Sequence, residues 1–124
     1  MACILVIDDN AINLDLMLYL LRSFGHEVEG RSDGLAGLDA AHGGAFELIL
    51  ADVLMPGIDG YELARRLKGD PVCARVPLVA VTALAMANDH QRIAEAGFDG
   101  YITKPIDPRS LAADIERFLS GRAE

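Results

Sequence analysis

Short unbroken apolar runs alternate along this chain with longer stretches in which apolar residues return at helical spacing. Cys3 to Ile7 (CILVI), Glu47 to Ala51 (ELILA) and Pro77 to Val81 (PLVAV) lack regular polar alternation, as expected of strands buried on both faces. His26 to Arg31 alternates like an edge strand, and Tyr101 to Thr103 forms a short fifth strand. Between them the pattern predicts helices from an Asn10 cap to about Phe24, over about Leu35 to His42, from Gly60 to about Lys68, near Met86 to Ala96, and from about Pro108 to Leu119. Glycines at 25, 43, 44 and 97 and the Asp70-Pro71 pair punctuate them. Leu111, Ile115 and Phe118 recur at i, i+4, i+7 and mark the buried face of the last helix. Strict alternation of five strands with five helices predicts an α/β, doubly wound, five-stranded parallel sheet with helices on both faces.

Length and composition narrow the class. The chain has 124 residues, 52% of them hydrophobic, enough for one compact domain spanning 1–124. Eleven Lys and Arg face 19 Asp and Glu, a formal charge of −8, which disfavours nucleic acid and anionic membrane surfaces as partners. No apolar run approaches the ~20 residues of a membrane span, and the first residues carry no basic leader, so the cytoplasm is the expected compartment. Cys3 and Cys73 show no metal-ligand or redox spacing; both are expected to be buried, inert thiols, with too few ligands nearby for zinc. His26, His42 and His90 are scattered and expected at the surface. Nucleotide-binding glycine loops and a G-x-S-x-G elbow are absent.

The polar residues at the strand ends carry the chemistry. In open parallel sheets, ligands bind beyond the carboxyl ends of the strands. The first strand runs into Asp8-Asp9, the third into Asp52, the fourth into Thr82-Ala83 and the fifth into Lys104. Each residue alone reads as a cap or a solvated strand end. Together they place three carboxylates, a hydroxyl and an ammonium on one sheet edge. Clustered carboxylates repel unless a hard cation lies between them, and Mg2+ prefers a few carboxylates plus waters. A carboxylate can act as nucleophile toward a phosphoryl group, with the lysine and threonine holding phosphoryl oxygens.

In this combination, with D-V-L-M-P-G-I-D-G after the third strand and the final Lys104-Pro105, the chain resembles the two-component response-regulator receiver domain, the CheY-like fold. The tail VPLVAVTALAM…AGFDGYITKPI is particularly similar to stand-alone regulators of the DivK type. The resemblance implies the strand order 2-1-3-4-5 of the CheY fold. It implies Asp52 as phosphoacceptor, with Asp8, Asp9, Asp52 and the backbone carbonyl of Leu54 as Mg2+ ligands, Asp8 directly or through water. Thr82 and Lys104 would hold the phosphoryl oxygens, Thr82 and Tyr101 would act as the switch pair, and Lys104-Pro105 would be a cis peptide. It further implies a sensor histidine kinase or histidine phosphotransfer protein as donor, a separate downstream protein as target, and cell-cycle control, with chemotaxis as the alternative process. With strands and helices filling the length, no output domain is expected, and the protein is expected to act as a monomer.

Two surfaces follow. On the first helix Met17, Leu20, Leu21 and Phe24 point to the sheet, whereas Ile12, Leu16 and Tyr19 lie at the rim; the strip Ile12, Leu16, Met55, Pro56 and Ile106 is the expected donor-docking surface. Output is expected around Ala87, His90, Gln91, Tyr101 and Arg109. Leu54 and Leu84, two positions after the acid and the threonine, cannot orient an attacking water, so slow self-dephosphorylation is expected. Two other classes share parts of the pattern: a Mg2+-dependent phosphohydrolase with Asp52 as nucleophile, for which Leu54 stands where a general acid is needed, and an adaptor that binds regardless of phosphorylation. The expected protein is a switch, not an enzyme turning over a metabolite.

Overall fold

The computed structural model describes residues 2–83 and 86–120; Leu84 lies outside them. In chain order the elements are β1 (Cys3–Ile7), α1 (Ala11–Ser23), β2 (Glu27–Arg31), α2 (Gly34–Gly43), β3 (Leu48–Asp52), α3 (Gly60–Lys68), β4 (Leu78–Thr82), α4 (Ala87–Ala96), β5 (Gly100–Thr103) and α5 (Pro108–Leu119). The strands form one sheet in the order β2-β1-β3-β4-β5, and every neighbouring pair is parallel. All five carboxyl ends therefore share one edge, which is what makes that edge a site.

Side-chain alternation along the central strands divides the core in two. Leu5 and Ile7 of β1, with Ile49 and Ala51 of β3, pack against Leu63, Leu67 and Ile93 of α3 and α4. Ile4, Val6, Leu48, Leu50, Val79 and Val81 point the other way, onto Met17 and Leu21 of α1 and Leu111, Ile115 and Phe118 of α5. β3 and β4 are buried throughout, as their continuous apolar runs require.

Four helices begin where a short acid or amide caps them. The side chains of Asn10, Asp33, Asp59 and Asp107 accept backbone N–H bonds from Asn13, Ala36, Glu62 and Arg109 at 3.0, 2.8, 3.0 and 3.0 Å. Gly97 ends α4 with φ at 114°, a conformation glycine adopts freely. The bounds of β1 match the predicted ones, and those of the other four strands differ by a residue. Glu47 lies just before β3, where its N–H donates to the Cys3 carbonyl at 2.8 Å and its carboxylate accepts from the Cys3 N–H. Asp52 joins β3, in register with Val81.

Two burial expectations are corrected. Cys3 is half-buried; only Cys73 is buried. His26 is buried, because its Nδ1 accepts the Ala2 N–H at 3.2 Å beside β1, and His90 is half-buried against Tyr101.

Candidate functional site

The sheet edge brings together the residues that the strand ends singled out. β1 delivers Asp8, which is 2% exposed; one of its oxygens, Oδ1, accepts the Asn10 N–H at 2.9 Å. β3 delivers Asp52, which is buried at the strand end, with Oδ1 accepting the Leu54 N–H at 3.3 Å. Asp9 lies exposed beside them. Carboxylate oxygens of Asp8, Asp9 and Asp52 all lie within 4.8 Å of one another. Lys104, reaching across from the end of β5, places Nζ 3.3 Å from Asp8 Oδ2 and 3.2 Å from Asp52 Oδ2. Its own N–H donates to the Thr82 carbonyl at 2.8 Å, tying the lysine to the fully buried Thr82. The Lys104-Pro105 peptide is cis, as expected.

This is an acidic cluster with one cation in it. Burial pushes the Asp8 carboxyl above its ordinary range, and the Asp52 charge adds to the effect; the Asn10 amide and Lys104 pull the other way without cancelling it. Burial also works against the Lys104 ammonium, but the carboxylates of Asp52 and Asp8 outweigh it and raise its pKa. The donor set is all oxygen and carries excess negative charge, which fits a hard divalent cation and not a soft one.

The raised Asp8 pKa sets a sign. Above the ordinary carboxylate value of 3.8 and below the raised one, the native state holds more protons than the unfolded chain, so this group's contribution to stability falls as pH climbs through that window. In buffer with a chelator, Asp8→Asn is therefore expected to melt above wild type at neutral pH, and the gap to narrow as pH drops into the carboxylate range. Asparagine keeps an oxygen for the Asn10 amide, and Lys104 keeps Asp52. A variant that melts below wild type at neutral pH contradicts this.

Away from the acids, Tyr101 is 42% exposed and its ring stacks on His90 of α4, centroids 4.0 Å apart at 20°. Ile12 is 80% and Leu16 43% exposed on α1, Pro56 is exposed and Ile106 half-buried. Met55 does not join that strip. It is buried in the core cluster on the α3 side of the sheet, because the loop after β3 folds its apolar side chain inward.

The sequence reading missed Gly60. A β-carbon there would lie 2.4 Å from the Asp52 carbonyl oxygen and 2.6 Å from the Val53 Cα, and the Gly60 N–H donates to the Val53 carbonyl at 2.8 Å. Only glycine lets α3 start this close to the strand that carries Asp52. The one signal was a glycine at the predicted start of the third helix, directly after Asp59.

Comparison with known proteins agrees with this geometry. The model of the response regulator receiver domain matches residues 4–116. The chain is 42% identical over 112 residues to the sensor protein GacS of Pseudomonas syringae pv. syringae, covering 88% of this chain but only 12% of that protein. It is 34% identical over 116 residues to the polar-differentiation response regulator DivK of Brucella anthropi, covering 94% of each. The receiver domain of the sensor histidine kinase PA1611 from Pseudomonas aeruginosa, solved with a magnesium ion coordinated in its active-site cleft, superposes with a TM-score of 0.89 at 30% identity, over 96% of this chain and 98% of that one. Among the described residues no helix is long and apolar enough to cross a membrane. Buried acids, a shared lysine and a parallel sheet in this order thus have one family in common, and the chain belongs to the response regulator receiver domains of two-component systems.

Proposed function

We propose that Asp52 is the phosphoacceptor of a response regulator that signals by phosphorylation-dependent protein binding. The observation that carries this is the Lys104 ammonium at 3.3 and 3.2 Å from Asp8 and Asp52, which leaves a buried acid beside two others at a sheet edge and supplies a cation for an incoming phosphoryl oxygen. Asp8, Asp9 and Asp52, with the Leu54 carbonyl, would hold Mg2+, which supplies charge neutralisation for the transferring group. The Asp52 carboxylate oxygen attacks phosphorus, the bond to the donor's nitrogen or oxygen breaks, and an acyl phosphate forms. Lys104 exchanges a carboxylate oxygen for a phosphoryl oxygen, and Thr82 donates its hydroxyl to another. Thr82 moving toward the new group frees room for Tyr101 to turn inward, altering the face around Ala87, His90, Gln91, Tyr101 and Arg109.

Intact mass spectrometry after incubation with acetyl phosphate and Mg2+ tests the assignment. One phosphoryl group is expected, mapping to Asp52 and persisting for minutes after the donor is removed. The persistence follows from Leu54, an apolar side chain 60% exposed two residues after the acceptor, which offers no hydrogen bond to an attacking water. No addition, or addition at another residue, overturns the acceptor; loss within seconds overturns the slow-hydrolysis reading.

The donor is a histidine kinase or histidine phosphotransfer protein that docks on α1. A groove of about 160 Å³ runs from Asp8 and Lys104 to Leu16, Met17, Pro105 and Ile106, so an apolar docking strip continues directly into the acceptor site. Ile12→Ala or Leu16→Ala is expected to slow transfer from a phosphohistidine protein and leave phosphorylation by acetyl phosphate unchanged. Equal loss with both donors would count against docking. The target is a separate protein, the compartment the cytoplasm, and the receiver domain acts as a monomer that turns over no metabolite. The likeness to DivK supports a role in cell-cycle control.

A further inference from the structure

At the sheet edge opposite Asp52, the return of α2 and α3 brings together three side chains that the receiver chemistry does not use. His42 lies in the last turn of α2. Asp70 and Cys73 lie in the connection between α3 and β4. One ligating atom from each — an imidazole nitrogen, a carboxylate oxygen and the thiol sulfur — falls within 4.8 Å of the other two. We propose that His42, Asp70 and Cys73 form a second metal site, selective for a borderline-soft divalent ion such as Zn2+ and independent of the magnesium site.

The carboxylate is already aimed. Asp70 Oδ1 accepts the Val72 N–H at 2.8 Å, and its other oxygen, Oδ2, faces His42 Nε2. Backbone bonds hold the turn as well: the Cys73 and Ala74 N–H groups donate to the Asp70 carbonyl at 3.1 and 2.8 Å. Such fixing of a ligand by its neighbours is a common property of metal sites. Cys73 is 3% exposed, whereas the His42 side chain is 44% exposed, so the site has a buried sulfur floor and an open imidazole side through which an ion can reach it. Sulfur, nitrogen and oxygen together select Zn2+ over Mg2+, whose preference is for oxygen alone. With zinc bonds of about 2.0–2.3 Å, the ion enters between His42 Nε2 and Asp70 Oδ2, replacing their direct contact, and the Cys73 sulfur supplies the third ligand.

Binding releases one proton, from the Cys73 thiol as its sulfur becomes the thiolate ligand. His42 coordinates through Nε2 as a neutral imidazole, with its N–H on Nδ1. Three protein ligands leave a fourth position for water. The bound ion would pin the end of α2 to the α3–β4 connection, far from the acceptor aspartate, and so stabilise the chain without filling its phosphorylation site.

The test is a titration with Zn2+ competed against a chromogenic chelator, and with Co2+ read by its thiolate charge-transfer absorption, both in excess Mg2+ to hold the carboxylate site occupied. One equivalent per chain is expected, with the cobalt band present and a raised melting temperature. Cys73→Ser is expected to abolish the band, Cys3→Ser to leave it intact, and His42→Gln, at an exposed position that does not threaten folding, to weaken binding at least about tenfold. Uptake unaltered in His42→Gln, a cobalt complex without the thiolate band, or no stoichiometric uptake by the wild-type chain overturns the proposal and leaves an ion pair above a buried thiol.

Discussion

A chain carrying Asp52→Asn takes up no phosphoryl group from acetyl phosphate or from a phosphohistidine protein, and it melts no lower than wild type. The carboxamide has no anionic oxygen to attack phosphorus, and catalysis by the remaining groups has nothing to act on. The fold should not suffer. Asparagine is close to the same volume, its oxygen can still accept the Leu54 N–H that Asp52 Oδ1 accepts at 3.3 Å, and Lys104 keeps its partner in Asp8. Removing the Asp52 charge also relieves a repulsion that raises the Asp8 pKa. Intact mass and a thermal melt on the same sample check both halves. Undiminished uptake by the variant would transfer the acceptor role to Asp8 or Asp9, and the account of the site with it.

The second large effect belongs to Gly60→Ala, which lowers both stability and phosphoryl uptake. The added methyl carbon meets backbone at 2.4 and 2.6 Å, and backbone cannot swing aside as a side chain can. Overpacking of this kind costs about 3 kcal/mol, or roughly 10 °C in melting temperature for a domain of this size. The atoms that must yield belong to Asp52 and Val53, so the acceptor is displaced together with the strand end. Gly43→Ala is the matched control: nothing lies within 4 Å of its β-carbon position, and no loss is expected there. A Gly60→Ala chain that melts with wild type and accepts phosphate at the wild-type rate would show that α3 can retreat without disturbing β3.

What could be read from the residues alone was what periodicity encodes. Apolar runs such as CILVI and ELILA announce central strands because both faces of a doubly wound sheet are covered, and the polar residues closing those runs had to meet at one edge once the strands were parallel. Five site residues followed from that single inference. Side chains in loops were another matter. Met55 sits in a connection with no repeat to report its direction, and only its packing beneath the sheet decides that it faces inward. His26 looked like a surface histidine because the backbone N–H it accepts belongs to Ala2, distant in sequence. The same reason hid Gly60, whose constraint lies in the backbone of another element, and hid His42, Asp70 and Cys73, whose spacing matches no ligand motif and whose proximity arises only because α2 and α3 return to the same end of the sheet.

The stack between His90 and Tyr101 would make the two proposed states of this protein chemically different to an outside reader. While the rings lie face to face, the exposed Tyr101 covers one face of the half-buried His90. If the phenol turns inward on phosphorylation, as proposed, it would uncover that face of the imidazole. A target that contacts the freed imidazole would then sense the status of Asp52 without ever approaching it.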